Sequence, residues 1–361
     1  MIKTDELSGQ NSKAQKLVKI TLKNIVGLVI VFSTTLNGTE KPDPVALYPV
    51  QINGKYGYIN QTGQVVIKPQ FDFAGYFYEK RALIEIDNKK GYIDTTGKIV
   101  IEPKFDYADN FSEELAAVLI GTWDESKWGF INKEGQFVID SLFNYASRFS
   151  DNRALIGYRS MELTNYGYIN NSGNIVIKAQ YENAQDFSEG LAVVKINDFY
   201  GYIDTMGNNV IKPQFFLARP FHESLAAVAI VHETLPYEKW GYLNYKDTMV
   251  IEPQYDAAYD FYNGIARVMI IDEYNNGYFR FINKKGEYIN AAQYQDASDF
   301  NEEYAAVKIQ NKWGYIDTKG KIAITPQFES AASFINGRAK VRINNKDAYI
   351  DKTGKIIWQE K

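Results

Sequence analysis

Acid–base catalysis needs carboxylates held a few ångströms apart, and this chain offers several pairs: Glu113-Glu114, Glu302-Glu303, and Asp186 with Glu189. Their positions recur within a returning phrase, F-S-E-E-L at 111–115 and F-S-E-G-L at 187–191. A reaction centre needs one set of groups at one place, so carboxylates that return from unit to unit read as turn residues. The histidines are His222 and His232, and His222 replaces the Ser of that same phrase. A metal site needs several convergent ligands, and neither H-E-x-x-H nor a histidine cluster occurs. The absence of cysteine removes disulfides, thiolate zinc sites and thiol catalysis. No G-x-S-x-G, phosphate loop or G-x-G-x-x-G is present. The expectation is a protein without catalytic residues, cofactor or metal.

What must be positioned, then, is a repeat. Taking the Gly after an aromatic as marker, the units fall at Gly57, Gly91, Gly129, Gly167, Gly201, Gly241, Arg280, Gly314 and Ala348, with Arg280 and Ala348 as substitutes. The residue opening the L-A-A-V segment lies 24 positions after the marker in every unit, from Arg81 and Leu115 to Tyr304 and Arg338. Length variation is confined to the stretch between that segment and the next marker. Looking for such periods comes first, because a missed repeat misreads the whole fold.

Each recurring residue has a physical reading. Tyr-Gly-Tyr or Trp-Gly-Tyr alternates with the period of a strand, and the Gly admits a close backbone or a ring from the neighbouring unit. Asn/Asp-x-x-Gly, as in Asn60 to Gly63, makes a type I turn with Gly in the left-handed position. Asp247 fills that Gly position once, and Asp tolerates positive φ better than most residues. A short apolar strand follows, expected to end at Pro69, Pro103, Pro213, Pro253 and Pro326. An aromatic-x-x-Ala-x-x-Phe link, as in Phe105/Ala108/Phe111, has a spacing of three that predicts a tight helical turn. The L-A-A-V segment is the third strand.

The fold class expected is an all-β repeat protein of tandem three-stranded antiparallel modules, stacked into a curved or superhelical array. The alternative is a closed, propeller-like ring, in which the spare strand at 45–53 pairs with spare strands at 348–358. Residues 50–358 form this array of about eight units and 41–49 a linker.

The phrases Trp128-Gly129-Phe130-Ile131-Asn132, Trp240-Gly241-Tyr242-Leu243-Asn244 and Trp313-Gly314-Tyr315-Ile316-Asp317 resemble the WG-repeat (KWG-repeat) family, common in bacteria. The downstream G-x-[IV]-V-I, P-Q-[FY] and F-S-E-G-L-A phrases match too, over roughly residues 50–358. The resemblance implies a non-enzymatic scaffold that binds other proteins.

The overall charge of −4 is mild, and the basic residues form no block outside the N-terminus, which argues against nucleic acid as partner. Residues 1–37 hold five Lys against Asp5 and Glu6. Lys13, Lys16, Lys19 and Lys23 precede the apolar run Ile25 to Leu36, and a polar stretch follows. That layout predicts a signal peptide or single membrane anchor within residues 1–40, formed by one hydrophobic helix. Membrane contact is expected only through residues 17–37, with the body exported or held on the outer face of the cytoplasmic membrane.

Four loops between the third strand and the next marker are extended, at 121–126, 157–165, 231–238 and 271–278. They occupy one place in the unit, so they emerge along one edge. That edge carries Trp123, Tyr158, Arg159, Met161, Leu235, Tyr237 and Tyr274 as candidate binding residues. Aromatics, Met and Arg are enriched in interface centres, and insertions on one face of a repeat protein mark its binding face. The expected partner is another protein, with a cell-wall glycan as the alternative.

Overall fold

The computed structural model describes residues 43, 45–121, 127–160, 163–231 and 238–361. The expected N-terminal helix lies outside them. Among the described residues no helix is long and apolar enough to cross a membrane. The strands form nine small antiparallel sheets, here called blades, spanning 48–71, 73–105, 107–143, 145–181, 183–215, 217–255, 257–283, 296–328 and 330–359. The first strand, Tyr48–Ile52, begins inside the stretch expected as linker.

Blade 5 shows the plan. Its strands Asn183–Ala184, Leu191–Ile196, Phe199–Asp204 and Asn209–Phe215 pair in chain order. The expected three-stranded module therefore gains a strand. The aromatic-x-x-Ala-x-x-Phe link is extended, and its Ala pairs with the next strand, as Ala184 with Val194. The helical turn expected there does not form. Tyr181, Ala184 and Phe187 are all buried, so the spacing of three serves packing between blades and not a helical period.

The marker Gly answers to its own blade. Opposite it the outer strand bulges, so that Tyr56 pairs with Phe71 while Tyr58 pairs with Ile67. A Cβ on Gly314 would stand 2.5 Å from the Ile324 carbonyl and 2.6 Å from the Pro326 nitrogen. The Pro does not end the strand as expected; it occupies the bulge of an edge strand, where its missing N–H costs nothing. Where Arg280 and Ala348 replace the Gly, the bulge is absent. The third strand of blade 7 has only two isolated bridges on its outer side, and Ala348 pairs in plain register with Gln359.

The Asn/Asp-x-x-Gly turns form as expected, with Asn60 Oδ1 accepting the N–H of Thr62 and Gln64 at 3.0 Å and Gly63 at φ 84°. Asp247 takes φ 58° in the same role.

Neighbouring blades are joined by one repeated contact. Except in blades 3 and 7, which carry Phe130 and Phe281 at the same place, a third-strand Tyr donates its hydroxyl to an inner carbonyl of the next blade: Tyr58 to Gly75 at 2.7 Å, Tyr92 to Asp109 at 2.6 Å, Tyr202 to Arg219 at 2.8 Å, Tyr315 to Ala332 at 2.8 Å. The same ring meets the link Phe of that next blade, Tyr92 with Phe111 at 4.9 Å and Tyr315 with Phe334 at 4.8 Å. Burying each such ring stabilises by roughly 1.5–3 kcal/mol.

The ends of the chain meet through the same Tyr position, with a different acceptor strand and ring partner. Tyr349 of blade 9 donates to the Pro49 carbonyl of blade 1 at 2.9 Å, and its ring meets Tyr48 at 5.6 Å. Arg338 reaches the Gln61 carbonyl at 2.8 Å. Tyr48, Val50, Ile59 and Tyr349 share one buried cluster. The array is thus a closed nine-bladed propeller, not the open superhelix expected first. Nor do the two chain ends pair as strands. Among the described residues blade 1 has three strands, with Tyr48–Ile52 innermost, and Lys346–Asp351 and Ile356–Gln359 are the outer strands of blade 9, so the described ends meet by blade packing.

Candidate binding face

Because the strands run antiparallel, hairpins between second and third strands share one face of the ring with the connections between blades. All four extended loops belong to such hairpins, in blades 3, 4, 6 and 7. The expected common edge is therefore a common face. Trp123, Met161, Leu235 and Tyr237 lie outside the described residues. Tyr158 and Arg159 sit on the long hairpin of blade 4, where Tyr158 pairs with Asn165 and Arg159 with Thr164. Tyr158 packs its ring on Phe143 at 5.8 Å and keeps 37% of its surface exposed. The Arg159 N–H donates to Asn144 Oδ1 at 3.0 Å, and its side chain is exposed. Tyr274 stands on the blade 7 hairpin, 77% exposed, on a turn closed by Asp272 Oδ1 accepting its N–H at 2.9 Å. These residues lie on two blades, Tyr158 and Arg159 on blade 4 and Tyr274 on blade 7.

Glu113, Glu189 and Glu302 of the paired acids occupy the opposite face, as turn residues, but Asp186 does not: it follows the innermost strand of blade 5 and accepts the Ser147 hydroxyl. Glu113 accepts the Asn152 N–H at 3.0 Å, Asp151 that of Gly190 at 2.7 Å, Glu189 those of Glu223 and Ser224 at 2.8 and 2.9 Å, and Glu223 that of Gly264 at 2.9 Å. Each carboxylate thus caps the left-handed turn of the next blade, whose outward N–H groups would otherwise lack a partner. Blade 9 has Asn336 where that acid would stand, and for blade 1 it is Asp43, from before the first strand, that caps the Lys80 turn of blade 2. His222 takes the place of the recurring Ser and meets the Tyr262 ring at 4.6 Å, tilted by 47°.

Sequence reasoning passed over two groups near the ring axis. The first lies in blades 6 to 8. The Arg267 guanidinium sits 3.6 Å from the centre of the Tyr259 ring and donates to Asp299 at 2.6 Å, while Arg219 lies 4.7 Å from the same ring. Burial pushes the Asp260 carboxyl above the usual range, against the opposing charge of Arg219. The second group is a set of aromatics that open the innermost strands: Phe73, Tyr107 and Tyr145. Both stand at positions where unit differs from unit, so no recurring phrase marks them; the visible signal is the departure from repetition itself. Among the described residues no cluster of three or more His, Asp or Glu could hold a metal ion. One open surface cleft, of about 310 Å³, is lined by residues from Ser330 to Asp347, among them Ala332 and Arg342.

The pattern of the WG containing repeat matches residues 56–89, 91–121, 128–157, 166–198, 200–230, 240–274, 279–313 and 313–346. Each match joins the outer half of one blade to the inner half of the next, which is how eight matched units build nine blades. No curated protein sequence matches the chain. Among solved structures, a prolyl endopeptidase is similar at 11% identity and a TM-score of 0.41, over 88% of this chain and 50% of that one. The chain thus spans half of that enzyme's length. The β-propeller domain of the Trilobed protease from Pyrococcus furiosus, described as having an open velcro topology, is similar at 12% identity and a TM-score of 0.40, over 70% of this chain and 98% of that one. Kluyveromyces lactis Hsv2p follows at 9% identity and a TM-score of 0.37, over 66% and 89% of the two chains.

Proposed function

This chain belongs to the WG containing repeat family, and from that premise we propose that its ring is a non-catalytic scaffold that binds another protein through the face carrying the long hairpins. The observation that carries this reading is the concentration of irregularity. The repeated residues are spent on turns, bulges and blade contacts, while the extended hairpins of blades 3, 4, 6 and 7 share one face and present Tyr158, Arg159 and Tyr274 to solvent. Aromatic and arginine side chains on a rigid platform are what interface centres use. Trp123, Met161, Leu235 and Tyr237 belong to the same four insertions. The basic lead and apolar run of residues 13–36 support a body that works outside the cytoplasmic membrane, exported or anchored there.

Replacing Trp123, Tyr158, Tyr237 and Tyr274 together with Ser tests the reading. Crosslinking in the native cell is expected to capture a protein neighbour with the wild-type chain and to lose it with the variant, at unchanged melting temperature. An equal yield from both chains overturns the assignment of this face. Sedimentation with peptidoglycan in place of protein capture makes the carbohydrate alternative the better one. Membrane fractionation of the same cells checks the placement.

A further inference from the structure

On the face opposite the long hairpins, the turns between third and outer strands carry lysines in one sector of the ring. Lys246 stands on that turn in blade 6, Lys285 in blade 7, Lys319 and Lys321 in blade 8 and Lys355 in blade 9, and all are exposed. Among the described residues none of these five makes an ion pair. Lys284 and Lys352 of the same turns are committed, to Glu223 at 3.1 Å and Glu302 at 3.4 Å. The corresponding turns of blades 1, 4 and 5 have no lysine, that of blade 2 has Lys98, and Lys133 of blade 3 is held by Glu79 at 3.1 Å and Glu114 at 2.6 Å.

The sector is continuous, because each turn lies against the outer segment of the blade before it. A Cβ on Gly286 would stand 3.3 Å from Ile251 and one on Gly354 3.0 Å from Ile324, while Asn290 donates to the Gly320 carbonyl at 2.8 Å. Apolar side chains stand beside the cations: Ile322 follows Lys321, Ile356 follows Lys355, and Val250 lies at the start of the outer strand after Lys246, all exposed. Exposed apolar residues recur at that place around the ring, as Val66, Phe137 and Ile175, so it is the lysines that set this sector apart. The acids of these turns are bound within the protein. Asp247 accepts Gln214 Nε2 at 3.0 Å, Glu287 accepts Asn283 Nδ2 at 2.8 Å, and Asp317 and Asp351 accept N–H groups of their own turns. On the inner turns of the sector, Glu303 is exposed.

The described chain enters the ring on this same face. Asp43 caps the Lys80 turn, its N–H donates to the Phe77 carbonyl at 2.8 Å, and its carbonyl accepts Asn336 Nδ2 of blade 9 at 2.5 Å. Blade 9 is the end of the lysine sector. The apolar run ending at Leu36 lies seven positions before Asp43, so the chain between them spans about 25 Å at full extension. An anchor at that run keeps this face, and not the long hairpins, close to the bilayer.

We propose that the face opposite the long hairpins rests on an anionic lipid surface through the lysine sector of blades 6 to 9. The inference rests on the placement outside the cytoplasmic membrane proposed above, and extends the membrane contact from residues 17–37 to the ring. Ammonium groups bind anionic headgroups, and neighbouring aliphatic side chains enter the headgroup boundary. The turns occupy one position in their blades, so their tips meet a flat charged surface together. The long hairpins then point away from the membrane, open to a protein partner.

The chain has no cysteine, so one introduced thiol carries one label. Lys319→Cys and Lys312→Cys place an environment-sensitive fluorophore on opposite faces of blade 8, both at exposed positions. Each full-length labelled chain is reconstituted with vesicles of phosphatidylglycerol and phosphatidylcholine that carry a doxyl-lipid quencher, and with phosphatidylcholine vesicles carrying the same quencher. Quenching is expected at 319 and not at 312, and only where phosphatidylglycerol is present. Changing Lys246, Lys285, Lys321 and Lys355 together to Gln in the chain labelled at 319 should abolish it, with the melting temperature unchanged. No quenching at 319, or equal quenching at both positions, overturns the proposal and leaves the sector to an acidic protein. Quenching at 319 that persists on phosphatidylcholine alone, or in the Gln variant, overturns the role of the lysines. Flotation with both kinds of vesicle but no quenching at 319 sinks this inference and keeps the anchor. Quenching at 319 on anionic vesicles, without flotation on phosphatidylcholine, sinks the anchor and keeps this inference.

Discussion

Tyr349 donates its hydroxyl to the Pro49 carbonyl at 2.9 Å across 300 residues of sequence, from the same place in its blade as Tyr92, which donates to Asp109 at 2.6 Å between adjacent blades. At the closure the acceptor lies on Tyr48–Ile52, the innermost described strand of a three-stranded blade. Tyr349→Phe and Tyr92→Phe should therefore lower unfolding free energy alike, each by about 1 kcal/mol, since each leaves a buried carbonyl without its donor. Urea denaturation of the two variants checks this. A normal loss at Tyr92 with none at Tyr349 would mean that blades 1 and 9 do not meet.

Gly314→Ala should destabilise by about 3 kcal/mol, because its Cβ would press on the Ile324 carbonyl, a backbone atom fixed by the bulge. The reverse change at the last unit, Ala348→Gly, removes no clash and should cost only about 1 kcal/mol through added freedom of the unfolded chain. Equal costs at the two sites, read from thermal unfolding, would show that the bulge does not set the requirement for Gly.

Glu189 links blades 5 and 6. Burial pulls its carboxyl upward, but the Tyr245 hydroxyl and the N–H groups of Ser224 and Glu223 outweigh that and hold it below the usual range. A depressed folded value contributes stability above the unfolded value, about 4.3, and loses it as pH falls through the folded one. Glu189→Gln should cost about 1 kcal/mol or less at neutral pH, since the group is solvent-exposed. Melting curves of variant and wild type should converge near the acid end of the titration.

Asp186 has the opposite sign. Burial raises its carboxyl, and the Ser147 hydroxyl and Arg148 offset only part of that. A raised folded value penalises the folded state once pH exceeds the unfolded value of about 3.9, and the penalty grows until the folded value is passed. Asp186→Asn keeps an acceptor for Ser147 and should raise the melting temperature by about 2 °C at neutral pH. The gain should vanish below about pH 4. A gain that persists in acid would trace the effect to packing instead.

Much of this protein could be read locally. The turn from Asn60 to Gly63 and the tolerance of Asp247 follow from hydrogen bonding and φ within four residues. The recurrence of Glu113 and Glu189 marked them as turn residues before any geometry was known, although their acceptors, the turns of the following blades, could not be seen. The link through Ala184 misled, because a spacing of three fits both a helical turn and an extended segment packed between two sheets. Pro213 misled likewise: an edge strand with a bulge tolerates what a central strand would not. Phe73, Tyr107 and Tyr145 left no trace in the repeated phrase, since exposure at their position depends on distance from the axis.

The order of strands, the chemistry of each turn and the identity of the repeating unit are properties of short stretches, carried by pleat alternation and by the φ that Gly, Asn and Asp permit, and the chain's residues determined them alone. Closure was a different matter. It depends on small rotations between blades adding up over the whole circle until Tyr349 meets Pro49 and Arg338 meets Gln61, and no single residue encodes such a sum. Only the assembled ring decided that there are nine blades, which rings look onto the axis, and which face gathers the irregular loops.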